Sequence, residues 1–122
     1  MELTSTSKIL VQGIMEPLGQ AYVPWMVAYG SPIVAGVSPG RGGGTLADVP
    51  VYELVSQAIV ALGNLDATVI CTQPYDVLDA AIEAIAAHIP QLIILTEGVP
   101  PLDMVQLIRR AEAADILVIG PN

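Results

Sequence analysis

Two glycine-containing segments have the residue types that bind phosphate groups. The first, residues 13–19 (GIMEPLG), follows a short apolar run. Such a turn lets a pyrophosphate approach the backbone at the start of a helix. The usual G-x-G-x-x-G pattern would need glycine at Met15 and near Leu18, and neither is present. The segment is therefore an incomplete match to a nicotinamide- or flavin-binding turn.

Glu16 is the residue of this turn with the largest effect on its chemistry. A carboxylate at the beginning of a helix compensates the helix dipole and repels an incoming anion. In a second interpretation, Glu16 and Pro17 simply begin a helix, because proline is favoured at the first helical position. The sequence leaves both interpretations open.

The second glycine-containing segment, residues 38–45 (SPGRGGGT), contributes a cation, Arg41. A planar guanidinium suits a phosphate, and a dinucleotide site that accepts a ribose phosphate offers arginine after its second strand. The alternative is an arginine that only faces solvent, as most loop arginines do. The glycines make this segment the most flexible part of the chain by composition.

The other residues with reactive or stacking side chains have simpler explanations. We expect His88 to be structural, at the carboxyl end of a helix, and Cys71 to be a small core residue. One histidine and one cysteine cannot supply a zinc site with the ordinary number of ligands. Trp25 and Tyr75 either stack on a ligand or pack within the protein.

An alternation of strands and helices must position these segments. Continuous apolar runs predict buried parallel strands, and helical spacing lies between them. The predicted strands are 8–12, 32–37, 67–72, 91–96 and 115–120, with a weaker extended piece near Val51, and the predicted helices are 17–29, 52–62, 77–88 and 101–114. Pro24 is expected to shorten or kink the first helix.

Right-handed crossovers turn this order into an α/β fold, a three-layer Rossmann-like open parallel sheet with helices on both faces. Its ligand crevice lies beyond the carboxyl ends of the strands, where the strand order reverses. The loops that reach this crevice are predicted at residues 13–19, 38–45, 72–76 and 96–101. Arg41 is the only cation in these loops.

The composition limits the class of protein. The 122 residues are 53% hydrophobic, which excludes intrinsic disorder and predicts a single domain over residues 1–122. Twelve acidic and four basic residues give a formal charge of -8, which disfavours nucleic acid and anionic membranes as partners. The uncharged residues 17–40 are interrupted by proline and glycine too often for a membrane span. The single cysteine and the lack of signal-peptide features at the start favour the cytoplasm.

Several short segments carry a resemblance to a known family: Gln12-Gly13, Ala28-Tyr29-Gly30, Pro39-Gly40-Arg41-Gly42-Gly43, Thr96-Glu97-Gly98 and Gly120-Pro121-Asn122. Together they resemble, over essentially the whole chain, the amino-terminal coenzyme A-binding domain of the succinyl-CoA synthetase (succinate-CoA ligase) alpha subunit. The resemblance implies a Rossmann-like fold and coenzyme A as cofactor. It implies cofactor-binding residues at Glu16, Leu18, Gly19, Pro39, Arg41, Thr72, Gln73, Leu95, Thr96 and Glu97.

The chain also departs from this family's pattern. The family's turn reads Gly-Phe-Thr-Gly-Ser-Gln-Gly, whereas residues 13–19 lack both hydroxyls and the middle glycine. The family's lysine becomes Arg41, which keeps the charge, and its Val-Pro-Ala-Pro shelf becomes residues 72–75 (TQPY). The family's phosphorylated histidine belongs to a second domain that these residues do not include, so we expect no catalytic residue here and no metal site.

The sequence therefore predicts a coenzyme A-binding domain with a partly degenerate phosphate loop that binds and does not catalyse. It is expected to be either part of a longer alpha subunit, ending where the second domain begins, or a stand-alone homologue. Coenzyme A or acyl-CoA, a ligase beta subunit and a further domain are the expected partners. The alternative is an interaction or regulatory module that keeps the fold but has lost the ligand. An NADP-dependent oxidoreductase is disfavoured by the missing glycines.

Overall fold

The computed structural model describes residues 3–121, which form seven strands, four helices and one short 3-10 turn. In chain order they are β1 (Ile9–Gln12), α1 (Pro17–Ala28), β2 (Ile33–Val37), β3 (Thr45–Leu46), β4 (Val49–Tyr52), α2 (Val55–Leu62), β5 (Ala67–Ile70), the 3-10 turn (Pro74–Asp76), α3 (Val77–Ala86), β6 (Gln91–Ile94), α4 (Pro101–Ala113) and β7 (Leu117–Ile119).

All seven strands belong to one sheet with the order β3-β4-β2-β1-β5-β6-β7. Every neighbouring pair is parallel except β3 and β4, which form an antiparallel hairpin at one edge. The chain moves outward from β1 through β2 to β4 and then crosses to β5 on the other side of β1. The strand order therefore reverses between β1 and β5, which is where open α/β sheets form their ligand crevice. The predicted Rossmann-like fold is confirmed.

The helices cover the sheet unequally. Residues of α2, α3 and α4 pack with Leu10, Ile70 and Leu92 into the core on one face. Helix α1 packs through the buried Val23 on the other face, together with Val11 and Val69. Strands β1 and β5 are buried along their whole length because helices lie on both sides of the sheet centre. In contrast, β7 is an edge strand with exposed leucine and isoleucine side chains.

The structure corrects several boundaries. Residues 38–45 were expected to be a loop, but Thr45 begins β3, and the extended piece near Val51 is the strand β4. The sheet is therefore parallel except at this edge. Strands β5, β6 and β7 are shorter than predicted at their carboxyl ends, and α2 begins three residues later. Of the two effects expected of Pro24, shortening is wrong, because helix α1 continues through Pro24 to Ala28.

Among residues 3–121, none of the helices has the length and the apolar character that crossing a bilayer requires.

Candidate functional site

The turn between β1 and α1 lies directly against the end of β5. Gly13 has a φ of +80°, and a Cβ there would lie 2.7 Å from the backbone nitrogen of Thr72. A Cβ on Gly19 would lie 2.4 Å from the carbonyl oxygen of Ile14. Glycine at these two positions therefore lets the turn close and lets α1 approach it. Gly19 is buried beneath the turn.

Glu16 is the residue that precedes α1, and Pro17 is the first helical residue. Glu16 has ordinary extended backbone angles (φ -71°, ψ 160°), and its side chain forms no hydrogen bond to the helix amides. Its carboxylate instead accepts a long hydrogen bond, 3.4 Å, from Nε2 of Gln73. Glu16 therefore begins the helix without occupying the N–H groups that a phosphate would use.

Hydrogen bonds join the four crevice loops in two pairs. The backbone N–H of Met15 donates to the buried Ser38 hydroxyl oxygen over 2.9 Å. The Thr96 hydroxyl donates to the carbonyl oxygen of Thr72 over 2.7 Å. The loop after β1 is therefore held to the loop after β2, and the loop after β5 to the loop after β6.

Two cavities open at this edge, and they share Glu16 and Thr72. The first cavity, about 360 Å³, lies between the β1–α1 turn, the loop after β2 and α3. The second cavity, about 950 Å³, lies between α1 and the loops after β5 and β6. Its lining includes several apolar and aromatic side chains, namely Leu18, Tyr22, Trp25, Met26, Pro74 and Leu95.

Arg41 supplies the positive charge of the first cavity. Among the residues that the structure describes, no carboxylate forms an ion pair with its guanidinium. The 3-10 turn and α3 contribute an acidic wall to the same cavity, lined by Asp76, Asp79 and Glu83. Glu83 also accepts a 2.8 Å hydrogen bond from the N–H of Val55, the first residue of α2. The cavity therefore combines one unpaired cation with a wall that disfavours anions.

Thr72 has a polar atom without a partner. Its hydroxyl oxygen is buried and has no hydrogen bond within residues 3–121. An unpaired buried polar group costs about 1–3 kcal/mol, and a ligand that reaches it from either cavity would remove that cost. The unpaired hydroxyl of Thr72 therefore fits a site that binds a polar ligand.

The predicted site residues divide between the two cavities. Pro39 and Arg41 line the first cavity, Leu18, Gln73, Leu95, Thr96 and Glu97 line the second, and Glu16 and Thr72 line both. Gly19 lines neither cavity and acts through close packing. Glu97 lies beyond the end of β6 and is exposed. The roles of these residues in binding remain predictions.

Some lining residues were not anticipated. The acidic residues of α3 and the aromatic Tyr22 line the cavities, and none of them was predicted as a site residue. The lack of any charge from residue 17 to residue 40 was a signal for an apolar α1 surface.

The lone cysteine and histidine have structural positions. Cys71 is 1% exposed, and burial raises the pKa of its thiol to about 12. His88 follows α3 with a φ of +60°, as a residue that ends the helix. Trp25 contacts Tyr29 with ring centroids 4.7 Å apart, while its outer surface lines the second cavity. Tyr75 is largely exposed. Within the described part of the chain, no group of three or more His, Cys, Asp or Glu side chains could hold a metal ion.

A comparison with protein families identifies the family of this chain. The family model described as "CoA binding domain" matches residues 4–98, which contain both glycine-containing loops and the end of β6. The chain belongs to the CoA binding domain family. This family membership confirms the resemblance predicted from the sequence.

Curated relatives of this CoA-binding domain are similar over almost all of its length. The alpha 2 subunit of an ADP-forming succinate–CoA ligase from Archaeoglobus fulgidus is 39% identical over 116 residues, which are 95% of this chain and 40% of the relative. The alpha subunit of malate–CoA ligase from Methylorubrum extorquens is 37% identical over 118 residues, which are 93% of this chain and 40% of the relative. The chain thus spans about two fifths of the length of these relatives.

Solved structures show the same fold. An ATP citrate lyase from Methanothrix soehngenii, in complex with citrate and coenzyme A, superposes with a TM-score of 0.74 at 24% identity, over 99% of this chain and 21% of that one. A Rex-family repressor superposes with a TM-score of 0.68 at 18% identity, over 96% of this chain and 53% of that one. At these identities the likeness concerns the fold alone.

Proposed function

We propose that residues 1–122 form a single domain that binds coenzyme A or acyl-CoA across the two cavities. The observation that carries this proposal is the unpaired Arg41 guanidinium, which lines the first cavity beside the β1–α1 turn. A guanidinium held there suits a phosphate of the coenzyme, because charge-assisted hydrogen bonds to phosphate are strong and directional. Membership of the CoA binding domain family supports the choice of ligand.

The different linings of the two cavities suit a ligand with two unlike parts. Coenzyme A joins an anionic nucleotide to a long, less polar pantetheine arm. The nucleotide phosphates would lie toward Arg41, and the less polar part would lie along the apolar side of the second cavity. Thr72 lines both cavities and would donate its unpartnered hydroxyl at the point where the ligand passes between them.

These residues would bind and orient the coenzyme without transforming it. Bound coenzyme A would supply the thiol on which an acid is activated as a thioester. Because the relatives are ligase alpha subunits about two and a half times as long as this chain, we propose that it acts within an acid–CoA ligase of the succinate–CoA ligase type. A beta subunit or a further domain would supply the catalytic groups, in the cytoplasm.

A second candidate, from a different class, is an interaction or regulatory module that keeps the fold and no longer binds coenzyme A. The acidic wall of the first cavity favours it, because Asp76 and Asp79 face the space that the phosphates would enter. Calorimetric titration with coenzyme A separates the candidates. Binding at micromolar concentrations supports the coenzyme A-binding domain, and an absence of heat at millimolar concentrations supports the interaction module.

Arg41→Ala tests the observation that carries the proposal. We expect it to weaken coenzyme A binding by about 1.5–3 kcal/mol, the range for hydrogen bonds to charged groups, or roughly ten- to hundredfold. Arg109→Ala is the matched control, because Arg109 is an exposed residue of α4 that lines neither cavity. Equal dissociation constants for the two variants would remove Arg41 from the site.

A further inference from the structure

The loop that contains Arg41 is glycine-rich, but a side chain from outside the loop forms hydrogen bonds with its backbone. Glu53, which directly follows β4, accepts a hydrogen bond from the N–H of Gly40 over 2.7 Å through Oε1. Its other oxygen, Oε2, accepts from the N–H of Gly42. The two oxygens of one carboxylate therefore bind the amides on both sides of Arg41.

The neighbouring backbone supports this arrangement. The N–H of Arg41 itself donates to the carbonyl oxygen of Ser38 over 2.9 Å, and the N–H of Gly43 donates to that of Val51 over 2.8 Å. A Cβ on Gly42 would lie 2.6 Å from Oε2 and 2.9 Å from Cγ of Glu53. Glycine at this position therefore leaves the space that the carboxylate occupies. Outside the loop, the backbone N–H of Glu53 donates to Oε1 of Gln57 over 3.0 Å.

The charge of Glu53 is satisfied by these amides. Hydrogen bonds from Gly40 and Gly42 lower the pKa of Glu53 below its usual value, so it is a carboxylate at neutral pH. Within residues 3–121 it forms no ion pair with Arg41, although it binds the amides of both neighbouring glycines. The guanidinium of Arg41 therefore has no ion-pair partner within residues 3–121 and can bind a ligand in the first cavity, while hydrogen bonds to Glu53 hold the backbone on both sides of Arg41.

We propose that Glu53 is a positioning residue for ligand binding, because its carboxylate holds the amides on both sides of Arg41 and thereby fixes that guanidinium at the first cavity. This proposal rests on the proposed function, in which Arg41 binds a phosphate of coenzyme A. Glu53 lines neither cavity, so its effect on affinity is exerted through Arg41. Flexible glycines then permit the loop's shape, and Glu53 selects one conformation from those they allow.

A double-mutant cycle with calorimetric titration of coenzyme A tests the proposal. Glu53→Gln keeps the size of the side chain but has one oxygen, so it can accept from only one of the two amides and presents an NH₂ group to the other. We expect it to weaken coenzyme A binding threefold to tenfold in the wild-type background. In the Arg41→Ala background we expect less than a twofold change, because there is no guanidinium left to position. Glu112→Gln, an exposed carboxylate of α4, is the matched control and leaves affinity unchanged.

The outcomes separate this proposal from the proposed function. Equal weakening by Glu53→Gln in both backgrounds, or no weakening in either, would overturn the positioning role while coenzyme A binding by the wild type would stand. Amide hydrogen exchange, measured by NMR without ligand, covers the case in which the wild type does not bind. We expect exchange at Gly40, Arg41 and Gly42 to be at least tenfold faster in Glu53→Gln than in Glu112→Gln. Unchanged exchange would overturn the proposal whatever the affinity.

Discussion

At the scale of single residues, Glu16 bears most directly on whether this crevice accepts a phosphate. In one of the two interpretations of the sequence, the carboxylate compensates the dipole at the start of α1 and repels an incoming phosphate. In the structure its side chain forms no hydrogen bond to the amides of α1, so its effect is reduced to repulsion between charges. Two unit charges about 4 Å apart repel by about 1–4 kcal/mol near a protein surface, and Glu16 is half-buried at the rim of both cavities.

Replacing Glu16 tests this repulsion. We expect Glu16→Gly to raise coenzyme A affinity by about fivefold to tenfold, since each 1.4 kcal/mol recovered is a factor of ten. Glycine is tolerated at the residue before a helix, so the variant keeps α1. Glu16→Gln removes the charge and keeps the bulk. If charge alone matters, both variants gain affinity in calorimetry at one fixed salt concentration. Unaltered affinity in both would show that Glu16 only begins the helix.

Glu53 shows why part of the site could not be read from the sequence. Arg41 is recognisable because its own loop has the composition of a phosphate-binding segment. Glu53 reaches that loop from 11 and 13 residues away, and only because β4 pairs with β2. No local pattern encodes such a contact. The available signal was an acidic residue at the carboxyl end of a strand next to β2. This signal can be used only when the order of the strands in the sheet is known.

At the scale of elements, the apolar runs predicted the order of strands and helices because each buried strand must be hydrophobic on both faces. The β3–β4 hairpin escaped prediction since its turn residues, Ala47 and Asp48, are not the usual Asn-Gly pair, although both have positive φ. At Pro24 the sequence predicted an interruption of the helix, and the structure has a continuous helix instead. Pro24 is exposed, so the carbonyl that it leaves without a helical partner can be hydrated, and α1 continues.

The helix ends give a prediction about stability. Helices α1, α3 and α4 are each followed by a residue of positive φ, namely Gly30, His88 and Asp115. In each case the backbone N–H of the residue after it donates a hydrogen bond to a carbonyl oxygen of the helix. At α3, for instance, Ile89 N–H donates to the Ala84 carbonyl oxygen over 3.2 Å. Only α1 has the glycine that this motif favours, so the other two helices end with strained side-chain-bearing residues.

His88→Gly is therefore expected to stabilise the fold by about 1 kcal/mol, because glycine adopts the left-handed conformation without the Cβ penalty. Urea unfolding measures the change in the free energy of unfolding. Gly30→Ala at the end of α1 is the converse control and should destabilise. A midpoint for His88→Gly at or below that of the wild type would contradict the argument.

At the scale of the whole molecule, the strand order reverses at the centre of the sheet, as the predicted Rossmann-like fold requires. Once β1 is central, the chain can reach both β2 and β5 only by reversing direction, and the loops after these strands must meet. The division of the crevice into an acidic and an apolar cavity did not follow from topology. It depends on which side of α3 faces the opening and on the uncharged outer surface of α1.

The net charge of -8 leads to a prediction about salt. Coenzyme A is itself an anion, and the first cavity sets Glu16, Asp76, Asp79 and Glu83 against one arginine, so the long-range field opposes binding. Salt screens this repulsion, since the Debye length falls from about 30 Å at 0.01 M to about 10 Å at 0.1 M. The short Arg41–phosphate contact is screened less because the partners touch.

We therefore expect coenzyme A affinity, measured by calorimetry at pH 7.5, to rise about two- to threefold between 10 and 100 mM NaCl. The rise should be larger in Arg41→Ala, where only repulsion remains. A steep fall in affinity with salt, as found for basic phosphate-binding surfaces, would show that the field at the crevice is positive and would contradict this account of the acidic wall.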